Sequence, residues 1–285
     1  MNKNLEIINS EINNLNILSK VNNIDEIIKR SSILIKKYPQ VQIFYNFLGS
    51  SLEKKNQIYD AEVIYTKALE IDSKNIFALV NLGRISRIIN DLERSEQLLN
   101  QALSLEPENL LVQLNYGELK IDQNNFKEAI YIFEKIYEKN KDFQNVIMRL
   151  ATVYSIIGEF EKAEKYLSFN SKEKPELFAA DYRLSNIINY SERKDHQKLI
   201  LEKIENKKFD KLNKHLLFFA ISKSYEDQKE YERAFKYMEL ANKERNKLVV
   251  DNPLRYEEYF LNKNKEIFSN IDIKENINND FYKKN

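Results

Sequence analysis

Apolar and polar residues follow one another along this chain with the spacing of paired amphipathic helices, and the pairing itself recurs every 34 residues. One stretch places Tyr45, Leu48, Gly49, Ala61, Tyr65 and Ala68; the next places Leu79, Leu82, Gly83, Ser95, Ala102 and Pro107. Tyr116, Gly117, Ala129 and Phe133 follow, then Leu150, Ala151, Tyr154, Ala163 and Pro175. Asn22, Asn56, Asn90, Asn124 and Gly158 share a phase between the apolar stretches. A short turn between antiparallel helices needs a residue that tolerates the left-handed region, which Asn and Gly do best. Five positions later come Ala61, Ser95, Ala129 and Ala163, early in each second helix, where a larger side chain would force the paired helices apart. Pro39, Pro107 and Pro175 fall after a second helix, where a missing N–H and a fixed φ stop one helix and start the next. Units of this size cannot bury their apolar faces alone, so the pattern predicts an all-α solenoid of about seven antiparallel helix pairs.

The lattice sets units near 8–41, 42–75, 76–109, 110–143 and 144–177. The first is weaker, with Leu15 in the glycine slot. Ala163 to Ala234 is 71 residues, two periods plus three, which makes 178–214 a degenerate unit with a short insertion around Asn206 to Asn213. The pattern returns over 215–248 with Leu216, Leu217, Phe218, Ile221, Tyr225, Ala234, Phe235, Met238 and Ala241. A solenoid is therefore expected over 8–248, followed over 249–285 by a C-terminal helix, near 253–268, and a polar tail.

The recurring aromatic, Leu-Gly, Ala, Phe and Pro positions resemble the tetratricopeptide repeat, with matches running over residues 42–177. That resemblance implies a right-handed superhelix whose concave wall is lined by the first helix of each pair. It implies a non-catalytic scaffold that binds a protein or peptide in the groove. By the family's geometry Asn46, Ser50, Glu53 and Lys54 look inward, as do Phe77, Val80, Asn81, Arg84 and Arg87. Leu111, Leu114, Asn115, Glu118 and Asp122 continue the wall, followed by Met148, Arg149, Thr152 and Ser155. Asn81 and Asn115 share a phase, and an amide both donates to and accepts from a peptide backbone; a bond to a neighbouring helix is the equal alternative. Arg84 and Arg87 suit a ligand carboxylate or a salt link to Glu118 or Asp122 of the next unit. Ser50 and Leu111 stand where the family's chaperone-tail clamp has Asn and Lys, which argues against that ligand.

A second resemblance concerns the run from Leu217 to Asp227 and on through Tyr231, Ala234 and Phe235 to Arg245. It is similar to the last repeat of bacterial tetratricopeptide-repeat sulfotransferases, in which a bridging helix, here Tyr256 to Phe268, leads to the loop that holds the sulfuryl donor PAPS. The loop itself is absent from this sequence. The resemblance implies an alternative function, a substrate-binding arm of a sulfotransferase whose PAPS-binding catalytic domain lies elsewhere, in cis or in trans.

Composition narrows the classes further. Four glycines and four prolines leave little chain for turns. Lys and Arg number 45 against 44 Asp and Glu, so no net positive field draws a nucleic acid, and none is expected as partner. Cysteine is absent, which excludes disulfides and thiolate chemistry. No glycines lie close enough for a phosphate-binding loop. His196, beside Asp195, and His215, after Lys214, have no metal-pair or triad spacing and read as ordinary surface or partly packed residues. Pairs such as Glu161 with Glu164 read as solvated helix faces. No catalytic residue, cofactor or metal is expected. Residues 1–20 hold no continuous apolar run, so neither export nor membrane insertion is expected and the default location is cytoplasmic. The sequence leaves the oligomeric state open.

Overall fold

Sharp reversals with one shared geometry set the architecture. Asn22, Asn56, Asn90 and Asn124 have φ of 55°, 66°, 63° and 58°; Gly158 has φ 80° and Lys229 φ 63°. After each, the next N–H donates to the carbonyl five residues back: Asn23 to Leu18 and Glu159 to Tyr154 at 2.9 Å, Gln57 to Leu52 and Asp91 to Ser86 at 2.8 Å. Asn125 to Lys120 (2.8 Å) and Glu230 to Tyr225 (2.9 Å) complete the set. These bonds close left-handed C-caps and satisfy carbonyls that a helix end would otherwise orphan. Asn23, Asp91 and Asn125 then accept from the N–H groups of Glu26, Arg94 and Glu128, so adjacent residues end one helix and cap the next. Lys229, 71 residues after Gly158, carries the turn phase across the degenerate stretch, where the sequence offered neither Asn nor Gly.

The structure is a computed structural model that describes residues 2–141, 143–209 and 214–249. The described residues form helices and no strand. The helices are α1 (Asn2–Lys20), α2 (Ile24–Lys37), α3 (Gln42–Lys54), α4 (Ile58–Ile71), α5 (Ile76–Ile88), α6 (Leu92–Leu105) and α7 (Leu110–Asp122). After them come α8 (Phe126–Lys139), α9 (Gln144–Ile156), α10 (Phe160–Glu173), α11 (Phe178–Ser185), α12 (Asp195–Glu205), α13 (His215–Asp227) and α14 (Tyr231–Val249). A 3₁₀ turn, Lys207–Phe209, follows α12 and sets Phe209 edge-on to Phe178, with ring centroids 5.6 Å apart. The helix expected near 253–268 lies outside the described residues. Among the described residues no helix is long and apolar enough to cross a membrane.

The chain divides into two units between Leu119 and Lys120. In the first, each helix from α1 to α5 packs on the one that follows, and Leu99 and Ala102 of α6 share a core cluster with Val112 and Leu119 of α7. In the second, α8 packs on α9, α9 on α10, α10 on α11, and α13 on α11, α12 and α14. Small residues set the closest approaches. Ala61, Ser95, Ala129 and Ala163 have no exposed surface. A Cβ on Gly49 would stand 2.4 Å from Cε1 of Tyr65, and one on Gly83 would stand 2.8 Å from Cγ of Leu99. Leu48, Ala61 and Tyr65 share one core cluster with Ala78, Leu82 and Ile85 of the following pair. Burial of each large side chain there contributes roughly 1.5–3 kcal/mol, and neither pair obtains it without the other.

Candidate functional site

In the first unit, polar side chains join the first helices of consecutive pairs. Arg84 of α5 reaches back to Glu53 of α3, and Arg87 of α5 pairs with Glu118 of α7 at 3.5 Å. The second unit repeats the arrangement: Arg183 of α11 donates to Oγ1 of Thr152 and, at 3.2 Å, to the Met148 carbonyl of α9. The link to the next unit expected for both arginines holds for Arg87. Arg84 turns the other way because Glu53 is anchored: the Tyr65 hydroxyl donates to its Oε1 at 2.7 Å, leaving Oε2 for the guanidinium. Burial first, and the Glu53 carboxylate second, push the Tyr65 phenol far above its ordinary range and keep it a donor.

A cleft of ≈ 630 Å³ opens beside this pair, lined by Ser50, Glu53 and Lys54 of α3, Asn81 and Arg84 of α5, and Tyr65 of α4. Arg84 also donates to Oδ1 of Asn81 at 3.3 Å. Asn81 donates its own amide to the Phe77 carbonyl, and Asn115 donates to the Leu111 carbonyl, both at 2.8 Å. Neither bond reaches a neighbouring helix. An amide one turn along a helix lies within reach of the carbonyl four residues back, and that local partner wins. Asn115 is buried, whereas Asn81 is half-buried at the cleft. Asn46 is committed elsewhere: its amide and that of Asn75, the N-cap of α5, bond each other at 3.2 and 3.5 Å.

The other candidates are dispersed. Phe77 is exposed with its ring edge-on to Tyr65 at 6.0 Å, and Leu114 is half-buried. Met148, Arg149 and Thr152 belong to the second unit, where Thr152 donates to the Met148 carbonyl at 2.7 Å and accepts from Arg183. Thus the structure gathers Asn81 and Arg84 at the cleft and joins Arg87 to Glu118.

The sequence reading missed a buried polar cluster in the second unit. Lys203 of α12 lies 2.8 Å from both carboxylate oxygens of Asp181 in α11 and donates to the Ser171 carbonyl of α10 at 2.9 Å. The Ser171 hydroxyl donates to Asp181 at 2.6 Å. His196 places Nε2 3.2 Å from Asp181 and Nδ1 2.6 Å from the Tyr190 hydroxyl. His196 is therefore a fully packed member of a network rather than a surface or partly packed residue, because the Asp181 carboxylate and the Tyr190 phenol satisfy it away from water. The signal was Asp181 itself, an acid at the phase of buried Tyr45, Leu79 and Ile147. His215 is half-buried against Phe219, and burial followed by Arg245 lowers its pKa. Glu164 of the expected solvated pair meets Arg193 at 2.5 Å.

Three family models match parts of the chain: "YpiA-like, tetratricopeptide repeats" over 88–141, and "Tetratricopeptide repeat" over 120–168 and 44–75. Among curated proteins, TPR repeat-containing protein YpiA of Bacillus subtilis is 26% identical over 251 residues, 86% of this chain and 54% of that protein. RNA polymerase-associated protein CTR9 of Saccharomyces cerevisiae is 25% identical over 201 residues, 70% of this chain and 16% of that protein. The chain thus spans at most 54% of the length of these two relatives. Among solved structures, a tetratricopeptide repeat protein from Parabacteroides merdae matches with a TM-score of 0.59 at 19% identity, covering 81% of this chain and 91% of that one. That likeness is one of fold.

Proposed function

We propose, for a chain that carries tetratricopeptide repeats over 44–75 and 88–168, that it is a non-catalytic interaction scaffold and that an extended peptide segment binds in the cleft between α3 and α5. The cleft carries the reading. Its ≈ 630 Å³ lies within the range of sites that hold small ligands or a few residues of peptide. Its wall offers what an extended backbone needs: the Asn81 amide, the Ser50 hydroxyl and the exposed Lys54 ammonium. The Glu53–Arg84 link and the Tyr65 hydroxyl hold that wall rigid before any ligand arrives, which lowers the ordering cost of binding. A protein or peptide is the partner class; the near balance of acids and bases argues against nucleic acid. A cytoplasmic location belongs to the same proposal.

The other expectation, an arm presenting substrate to a sulfotransferase domain, rests on the sequence run over 217–245 alone. That run forms α13 and most of α14, and its bridging helix lies outside the described residues. No feature of the cleft favours it.

Selection from a displayed library of random peptides tests the scaffold reading. The chain should enrich a peptide family, and Lys54→Glu combined with Asn81→Ala, both in the cleft wall, should cut that enrichment about 10-fold or more. Tyr131→Ala, which removes an exposed ring on α8, should leave it unchanged. Equal enrichment by the cleft variant would move binding to another face.

A further inference from the structure

A second cavity, of ≈ 310 Å³, lies in the second unit where the repeat is cut short. Its walls come from α10 and α12, with Leu184 of α11 between them. Here α11 has eight residues and α12 eleven, against thirteen for α9 and fourteen for α10. The cavity shares no residue with the cleft of the first unit.

Two of its lining side chains, His196 and Ser171, are polar and buried, and both are already committed. Nδ1 of His196 meets the Tyr190 hydroxyl at 2.6 Å and Nε2 meets Asp181 at 3.2 Å. The Ser171 hydroxyl donates to Asp181 at 2.6 Å and accepts from Lys203 at 3.2 Å. With those groups spent, the floor is apolar in effect: the carbon edge of the imidazole, Leu184 and Leu199. The same network keeps the space open. Asp181 ties α11 to α10 through Ser171 and to α12 through Lys203 and His196, so the helices cannot close on the cavity without breaking buried bonds.

The uncommitted polar groups stand on one wall. Ser168 and Lys172, four residues apart on α10, share a helix face, and neither has a hydrogen-bond or ionic partner among the described residues. The acids at the rim carry counter-charges: Asp195 lies 3.9 Å from Arg193, and Glu202 lies 4.0 Å from Lys198. A hydroxyl and an ammonium beside an apolar floor match one anionic head on a small apolar body. We infer that this cavity binds a small monocarboxylate with a one-ring or short-chain body, its carboxylate accepting from Ser168 and Lys172 and its body resting on Leu184 and Leu199. The volume is at the small end of ligand sites, which suits a free acid rather than a chain segment.

Benzoate and hexanoate are the probes, titrated into the full chain and followed by amide NMR. At least one should saturate with a Kd of about 1 mM or below and shift the amides of Ser168, Leu184 and Leu199. Benzyl alcohol, a ring of like size without the charge, should bind about 10-fold or more weakly than benzoate. Lys172→Met, at an exposed position that leaves the packing of α10 intact, should weaken both acids about 10-fold or more. Lys54→Glu, in the first unit, should leave their affinity unchanged, which separates this site from the peptide cleft and its test. No saturation by either acid at about 10 mM, benzyl alcohol binding as tightly as benzoate, undiminished binding by Lys172→Met, or loss of binding in Lys54→Glu would each overturn the inference.

Discussion

The pairs α3/α4 and α5/α6 and the pair α11/α12 do the same job, holding a helix pair in a stack, with opposite chemistry. In the former, close backbone approach at Gly49 to the Tyr65 ring and at Gly83 to the Leu99 side chain brings the helices together, and the polar links lie at the edge. In the latter, α11 is only eight residues long against thirteen for α3 and α5, and it spends a buried position on Asp181. A shortened helix has less apolar face to bury. Asp181 replaces the missing packing with directional bonds to α10 and α12, through Ser171, Lys203 and His196, and Tyr190 is fixed in turn by its N–H to Asp227 of α13 at 3.2 Å. The contrast teaches that a solenoid tolerates an irregular unit where polar bonds substitute for shape.

The largest test of that contrast is Lys203→Met. It leaves the Asp181 carboxylate buried without its counter-charge, and urea denaturation should show a loss of about 3–5 kcal/mol. Asp181→Leu with Lys203→Met should recover most of that loss, because a well-packed apolar pair needs no desolvation of charge. Should the double variant be as unstable as the single, the hydrogen bonds of Ser171 and His196 rather than charge pairing would be what holds the pair.

Gly49→Ala probes the apolar side of the comparison. The added methyl meets the ring of Tyr65, which is fully buried and tied to Glu53, so it has nowhere to swing. A loss of about 1–3 kcal/mol is expected, measured by the same denaturation. A neutral result would mean that α3 and α4 separate at little cost and that close approach does not set the regular pairs.

The smallest effect has the opposite sign. Ser95 occupies the small-residue slot, and its buried hydroxyl has no hydrogen-bond partner among the described residues. Ser95→Ala should stabilise the chain by about 1 kcal/mol, seen as a raised melting temperature. A drop instead would show that the hydroxyl is satisfied by water.

Much of this architecture was legible in the primary structure because turn chemistry and small-residue slots act locally. Asn22, Asn56, Asn90, Asn124 and Gly158 were in phase in the sequence, and each adopts positive φ. Lys229 shows the limit of that logic, since nothing in lysine announces a left-handed residue; only its distance from Gly158 does. Of the candidate wall, Asn81 and Arg84 do line a cleft, yet the choice of Glu53 over Glu118 as partner for Arg84 depended on the Tyr65 hydroxyl, which no spacing rule contains.

The order of residues by itself determined that helices pair, where they reverse and which small side chains stand between them, since each depends on groups within a few positions along the chain. Only the tertiary structure decided the polar partners: Asn46 with Asn75, Lys203 with Asp181, His196 with Tyr190. A hydrogen bond or ion pair has a reach of about 3 Å, so its partner is fixed by where packing has already carried distant residues.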